Sequence, residues 1–179
     1  MSLPKRKAKS FLPIAKFDAR NGKFTRVDRV QDKNGNWESE LYEIPADDFE
    51  AVYDLANLEV GWIAFGAAGQ PPDFKMVAVA NADDIGERPS DKHKEGFRVR
   101  IKLTNGAGDD VREMASTAVG FWKSMDELHC AYEKGVKKNK GKLPLVGVHE
   151  IIAVEGKSTL TYRPDFKILK WVARPSDLQ

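Results

Sequence analysis

A single cysteine, Cys130, stands in a chain of 179 residues, so no internal disulfide can form and nothing points to an oxidising compartment. Histidine is nearly as scarce. His93, His129 and His149 fall in a loop, on a helix and in a strand, without the spacing of a zinc site. His129 and Cys130 are neighbours on a helical stretch and point about 100° apart, so they form no local nucleophile and base. There is no Gly-rich phosphate loop, dinucleotide fingerprint or hydrolase elbow. The longest nearly apolar run, VGWIAFGAAG (60–69), is too short and Gly-rich to span a bilayer. MSLPKRKAKS at the start is basic but leads into no apolar run, so a secretory signal is not expected and the cytoplasm is. A nuclease reading finds Pro72-Asp73 and the triplet Glu155-Gly156-Lys157, but far apart rather than at hairpin distance. The carboxylates at 47, 48, 50 and 54 are explained as well by a capped surface helix as by Mg²⁺. The expectation is a non-enzymatic protein with no cofactor and no metal.

What the chain does have is segregated charge. Residues 31–59 hold nine acids against one base, Lys33, a net of −8; with the whole chain at +2, the remainder carries +10. Separation of that kind sets fields of opposite sign on different parts of a small surface. A chain of this length buries roughly two thirds of its extended surface, so one domain is expected to fold unaided.

Residues 1–10, with Lys5, Arg6, Lys7 and Lys9 and no acid, read as a disordered basic arm, leaving 11–179 as a single domain. Asn21-Gly22 between two alternating runs predicts a hairpin with a two-residue type I′ turn. A second turn at DKNGN leads into WESELYEI (37–44) and completes a three-stranded meander. Asp47 with Glu50 reads as a capping pair opening a short helix with Phe49, Val52, Tyr53 and Ala56 on its apolar side. LEVGWIAF (58–65), FKMVAVA (74–80) and FRVRIKL (97–103) read as strands, and 81–96 as a loop. Met114, Ala118, Phe121, Met125, Leu128 and Tyr132 recur at helical period, predicting one long helix over about 111–134, ended by Gly135. Two strands close the chain, LPLVGVHEIIAV (143–154) and TLTYRPDFKILKWVARP (159–175). The predicted fold class is therefore a β-rich α+β fold. It comprises an OB-like five-stranded barrel with one long helix, plus an N-terminal β-meander and short-helix addition. A second parse, with a first barrel at 12–80, also fits the element order.

In FRVRIKL the apolar residues face one way and Arg98, Arg100 and Lys102 the other. Arg163, Lys167 and Trp171 share a face of the last strand; Lys16 and Arg20 lie on the polar side of the first, and Lys75 opens another. Cations on strand faces neutralise phosphates, and exposed rings such as Trp171 and Trp37 accept unstacked bases, which suits a single strand. A duplex would ask for a helix with a basic face, and the long helix is spent on core packing. If the register slips at Lys170, Trp171 turns inward instead.

FRVRIKL, the helix ending CAYEKG, GKLPLVGV and TYRPDFKILKWVARP together resemble a phage-encoded single-stranded DNA-binding protein, over about 74–175. In that family a Tyr-x-Pro-x-Phe-x-Ile strand followed by Trp-Val and Arg-Pro closes an OB-type barrel. The matching positions here are Tyr162, Pro164, Phe166, Ile168, Trp171, Val172, Arg174 and Pro175. The resemblance implies sequence-independent binding of single-stranded DNA in phage or prophage replication or recombination, with replication or recombination proteins as further partners; the lack of a long apolar run predicts no membrane partner, and a homodimer is left open. One departure is the ending RPSDLQ, where many such proteins carry an acidic tail that recruits partners. Either that recruitment is absent or the acidic 31–59 segment serves it. The competing reading is a non-enzymatic adaptor that binds a basic protein through 31–59.

Overall fold

The computed structural model describes residues 12–67 and 70–179, so the basic arm predicted at 1–10 lies outside the described residues. In chain order the elements are β1 (Ile14–Asp18), β2 (Lys23–Gln31), β3 (Trp37–Ile44), β4 (Glu50–Tyr53), β5 (Glu59–Ala64), β6 (Asp73–Ala78), β7 (Lys94–Leu103) and β8 (Val111–Ser116). The long helix α1 (Val119–Val136), β9 (Lys142–Glu155) and β10 (Leu160–Ala173) follow. All ten strands join one mixed sheet, ordered β10-β9-β4-β7-β8-β1-β2-β3, with β5 on β7 beside β4 and β6 on β5. The sheet does not close on itself. The β1–β8 pair is parallel, and the others described are antiparallel.

The β1-β2-β3 meander forms as expected, but its first turn is longer. Asp18 pairs with Lys23, leaving a four-residue loop rather than a two-residue turn. The cause is local. The Asp18 carboxylate accepts the backbone N–H of Arg20 at 2.8 Å, and Gly22 takes a positive φ of 72° to close the loop. Asp32 does the same for the second turn, accepting the N–H groups of Asn34 and Asn36 at 2.8 Å each.

Two predicted helical stretches are strands instead. The short helix at 47–56 is replaced by a 3-10 turn at Ala46–Asp48, then β4, then a second 3-10 turn at Leu55–Asn57. Asp47 makes no capping bond; β4 has a neighbour on each side, β7 and β9, and its Ala51 and Tyr53 are fully buried. Ladder bonds and burial on both edges outweigh a capping pattern worth about 1 kcal/mol. Likewise α1 begins at Val119, and residues 111–116 form β8. Met114 continues the helical stripe by coincidence of period, since alternation along β8 buries it equally well. Gly135 does not stop the helix. It lets Trp171 lie flat on it, where a Cβ would stand 2.4 Å from the indole.

One cluster of buried side chains gathers Ala15, Phe17 and Phe24 from the hairpin, Phe97, Val99 and Ile101 from β7, Met114 from β8 and Val146 from β9. Phe121, Met125, Leu128 and Tyr132 of α1 cover it. The opposite, outer face of the sheet is what the candidate site is built on.

Candidate nucleic-acid interface

Directly opposed residues in a ladder point to the same side of a sheet. Register therefore traces a row across the outer face: Leu41 opposes Val27, Val27 opposes Ile14, Ile14 opposes Glu113, and Glu113 opposes Arg100. Period-two alternation adds Lys16 from β1, Arg29 and Gln31 from β2, Ser39 and Trp37 from β3, and Arg98 and Lys102 from β7. Five of the ten sequence-predicted residues thus share one face: Lys16, Trp37, Arg98, Arg100 and Lys102. Trp37 is 63 % exposed and Leu41 65 % exposed, and Ile14 is exposed beside them.

The cations of this face differ in what holds them. Arg98 is ion-paired with Glu59 at 2.6 Å, its guanidinium lying over the Phe74 ring at 4.5 Å. Arg100 donates to the carbonyl of Gln179 at 3.0 Å. Lys102 pairs with Asp177 at 2.8 Å; the contact raises the Lys102 ammonium and lowers the Asp177 carboxyl from their usual ranges. These last two contacts come from residues 174–179, laid over the outer face. Leu178 is fully buried against Val52, Leu143 and Leu145, and Arg174 bonds Asp54 at 2.9 Å and the Leu178 carbonyl at 3.0 Å. Between this segment and β7 lies a polar cleft of about 370 Å³ lined by Asp54, Asn57, Glu59, Arg98, Arg100, Glu113 and Gln179. Burial pushes the Glu113 carboxyl up, with Arg98 and Arg100 pulling it back.

The other half of the face is open. Neither Lys16 nor Arg29 has an ion-pair partner among the described residues. The two halves are stitched together beneath the surface by Arg112, only 4 % exposed. It donates to the carbonyls of Ile14 and Val27 and pairs with Asp28 and with Asp110 at 2.9 Å.

The remaining predicted residues are not gathered there. Arg20 sits in the β1–β2 loop against Asp18, and Lys75 on β6 reaches the Glu87 carbonyl at 3.5 Å. Lys167 is exposed on β10 opposite Gly147. Arg163 and Trp171 turn to α1 rather than sharing a face with Lys167. Arg163 pairs with Glu127 at 2.9 Å, and Trp171 stacks on Tyr132 at 5.7 Å between centroids. For Trp171 the cause is the register shift between Ile168 and Lys170, which makes Leu169 an extra residue on β10. An extra residue in a strand reverses the alternation after it.

Arg29, Leu41 and the 174–179 segment were not picked out from sequence. For Arg29 the signal was present: Phe24 is the one aromatic in KFTRVDRVQ, and counting alternation from it sends Thr25, Val27 and Arg29 outward. The acids of 31–59 do not assemble into one surface. They are spread over β3, β4, β5 and the turns between, with Glu43 on Lys23, Asp54 on Arg174 and Glu59 on Arg98. Among the described residues no helix is long and apolar enough to cross a membrane. No protein-family model, curated protein or solved structure matches the chain.

Proposed function

We propose that the chain binds single-stranded DNA without reading its sequence, on the outer face of the sheet, in the service of phage or prophage replication or recombination. The observation that carries this is the strand register that sets Lys16, Arg29 and Arg100 on the same face as a 63 % exposed Trp37. Cations at strand spacing follow a phosphate backbone, and a free indole offers a stacking platform indifferent to base identity. Among the described residues the long helix α1 exposes Asp126, Glu127 and Glu133 beside Lys123 and Lys134, not a basic face, which argues for a single strand over a duplex groove.

The fold reading that goes with this function is an OB-type one. In support, β4 and β5 pair with β7, β7 with β8, the helix follows, and β9 and β10 return so that β9 lies against β4. In such a barrel the third strand would meet the last. Here the β1–β2 hairpin takes that place, with β1 on β8 and the Ala19 carbonyl accepting the Tyr162 N–H at 2.7 Å.

The test is tryptophan fluorescence during titration with an oligo-dT 30-mer, repeated with duplex and at several salt concentrations. Quenching that favours the single strand is expected, with a log–log salt slope near −2 if Lys16, Arg29 and Arg100 each engage one phosphate at about 0.7 per contact. No quenching, together with no shift on a gel, would reject the proposal.

A further inference from the structure

The β9–β10 ribbon carries an irregularity unrelated to the outer-face cations. Glu150 on β9 stands directly opposite Asp165 on β10, while the next matched pair is Val148 with Phe166. His149 is therefore the additional residue of a β-bulge, without a partner of its own. Bulges re-aim side chains, and this one turns the imidazole to the two carboxylates: one ligand atom from each of His149, Glu150 and Asp165 lies within 4.8 Å of the others.

Like charges directly opposed across a ladder are destabilising. Yet neither Glu150 nor Asp165 has an ion-pair partner among the described residues. A divalent cation held between them converts that repulsion into attraction. We propose that His149, Glu150 and Asp165 bind one divalent transition-metal ion of the zinc class, with its remaining positions open to water.

The geometry and the donor set decide the class of ion. Zinc bonds to imidazole nitrogen and carboxylate oxygen are about 2.0–2.2 Å, which puts donors on one ion about 3–4 Å apart. From separations of up to 4.8 Å the three donors need to close by about 1–2 Å, within reach of rotamer changes because His149 and Glu150 are exposed. An imidazole selects zinc, nickel or copper over Mg²⁺ or Ca²⁺, which prefer all-oxygen shells. Three protein ligands leave a fourth position free, the pattern of an open rather than a closed structural site. The spacing 149, 150, 165 matches no familiar motif, because a bulge and a cross-strand register bring the residues together rather than a helical repeat.

The test uses the full chain after dialysis against a chelator. Zn²⁺ binding is followed by calorimetry and Co²⁺ binding by its visible absorption, for the wild type and for His149→Ala and Asp165→Asn. All three positions lie outside the buried core, and circular dichroism confirms that the variants fold. One ion per chain is expected, weakened by about tenfold or more in each variant and not displaced by excess Mg²⁺. His129 with the exposed Cys130 on α1 is the competing source of zinc ligands. A wild type that shows no saturable binding, variants that bind like the wild type, or binding lost only in His129→Ala with Cys130→Ser would each overturn the proposal.

Discussion

The two halves of the outer face carry the same kind of residue in opposite circumstances. On β7 the row Arg98, Arg100 and Lys102 is engaged: Arg98 by Glu59, Arg100 by the Gln179 carbonyl, Lys102 by Asp177. On the β1-β2-β3 half, Lys16 and Arg29 have no ion-pair partner among the described residues, and Trp37 and Leu41 stand in solvent. A basic row read off a strand is thus a statement about direction, not availability. The half with the cleaner sequence signal is the half already occupied, and the quieter half is free to meet a polyanion.

The largest way to break this comparison is to separate the halves. Arg112 is buried and joins the backbone of β1 and β2 to the carboxylates of Asp28 and Asp110. Arg112→Ala takes the donor from the Asp110 carboxylate and from the two carbonyls and leaves Asp28 with Arg26 alone, and is expected to destabilise the fold by about 3–5 kcal/mol in chemical denaturation. A loss below about 1 kcal/mol, the worth of a surface pair, would mean that the halves do not depend on this clamp.

The tryptophans sharpen it next. Trp171→Ala removes packing against Tyr132 and Gly135 and should cost about 3 kcal/mol of stability while leaving DNA-induced quenching in place. Trp37→Ala should do the reverse, sparing stability and lowering single-strand affinity by about 1–3 kcal/mol for a lost stacked base. If quenching survives in Trp37→Ala and vanishes in Trp171→Ala, the open half is not the binding surface. Smaller again is charge reversal. Lys16→Glu with Arg29→Glu should flatten the salt slope by about 1.4, two contacts at about 0.7 each. Arg98→Glu is a poorer probe, since it sets two glutamates side by side against Phe74.

Much of the core frame was legible because it obeys one period at a time. The alternation of FRVRIKL gives β7, and the Phe121, Met125, Leu128, Tyr132 stripe gives α1. What escaped depended on partners remote in the chain. β4 is four residues long amid acids, and only the neighbours on both its edges make it a strand. β8 was absorbed into the helix because Met114 satisfies either period. Trp171 was legible only as an alternative, since alternation alone does not tell that Leu169 is an extra residue. The coverage of Lys102 was not legible at all: nothing in RPSDLQ states that its leucine has a pocket waiting between β4 and β9.

That coverage supplies the smallest test, and it bears directly on the comparison. If the face binds DNA as proposed, Asp177 and a phosphate compete for the same ammonium of Lys102, so Asp177→Asn should move the occupied half toward the open one. A rise of only about two- to threefold in single-strand affinity at neutral pH is expected, because the pair is partly exposed and Leu178 keeps the segment seated. The pH dependence follows from sign. Lys102 holds the Asp177 carboxyl below its ordinary value of 3.8, so the contact is intact above that value and is lost as pH falls through the lowered one. Wild type and Asp177→Asn should therefore differ throughout the neutral range and converge in stability only in stronger acid. An affinity unchanged by the substitution, with the salt slope also unchanged, would place Lys102 outside the binding surface and leave the β1-β2-β3 half to act alone.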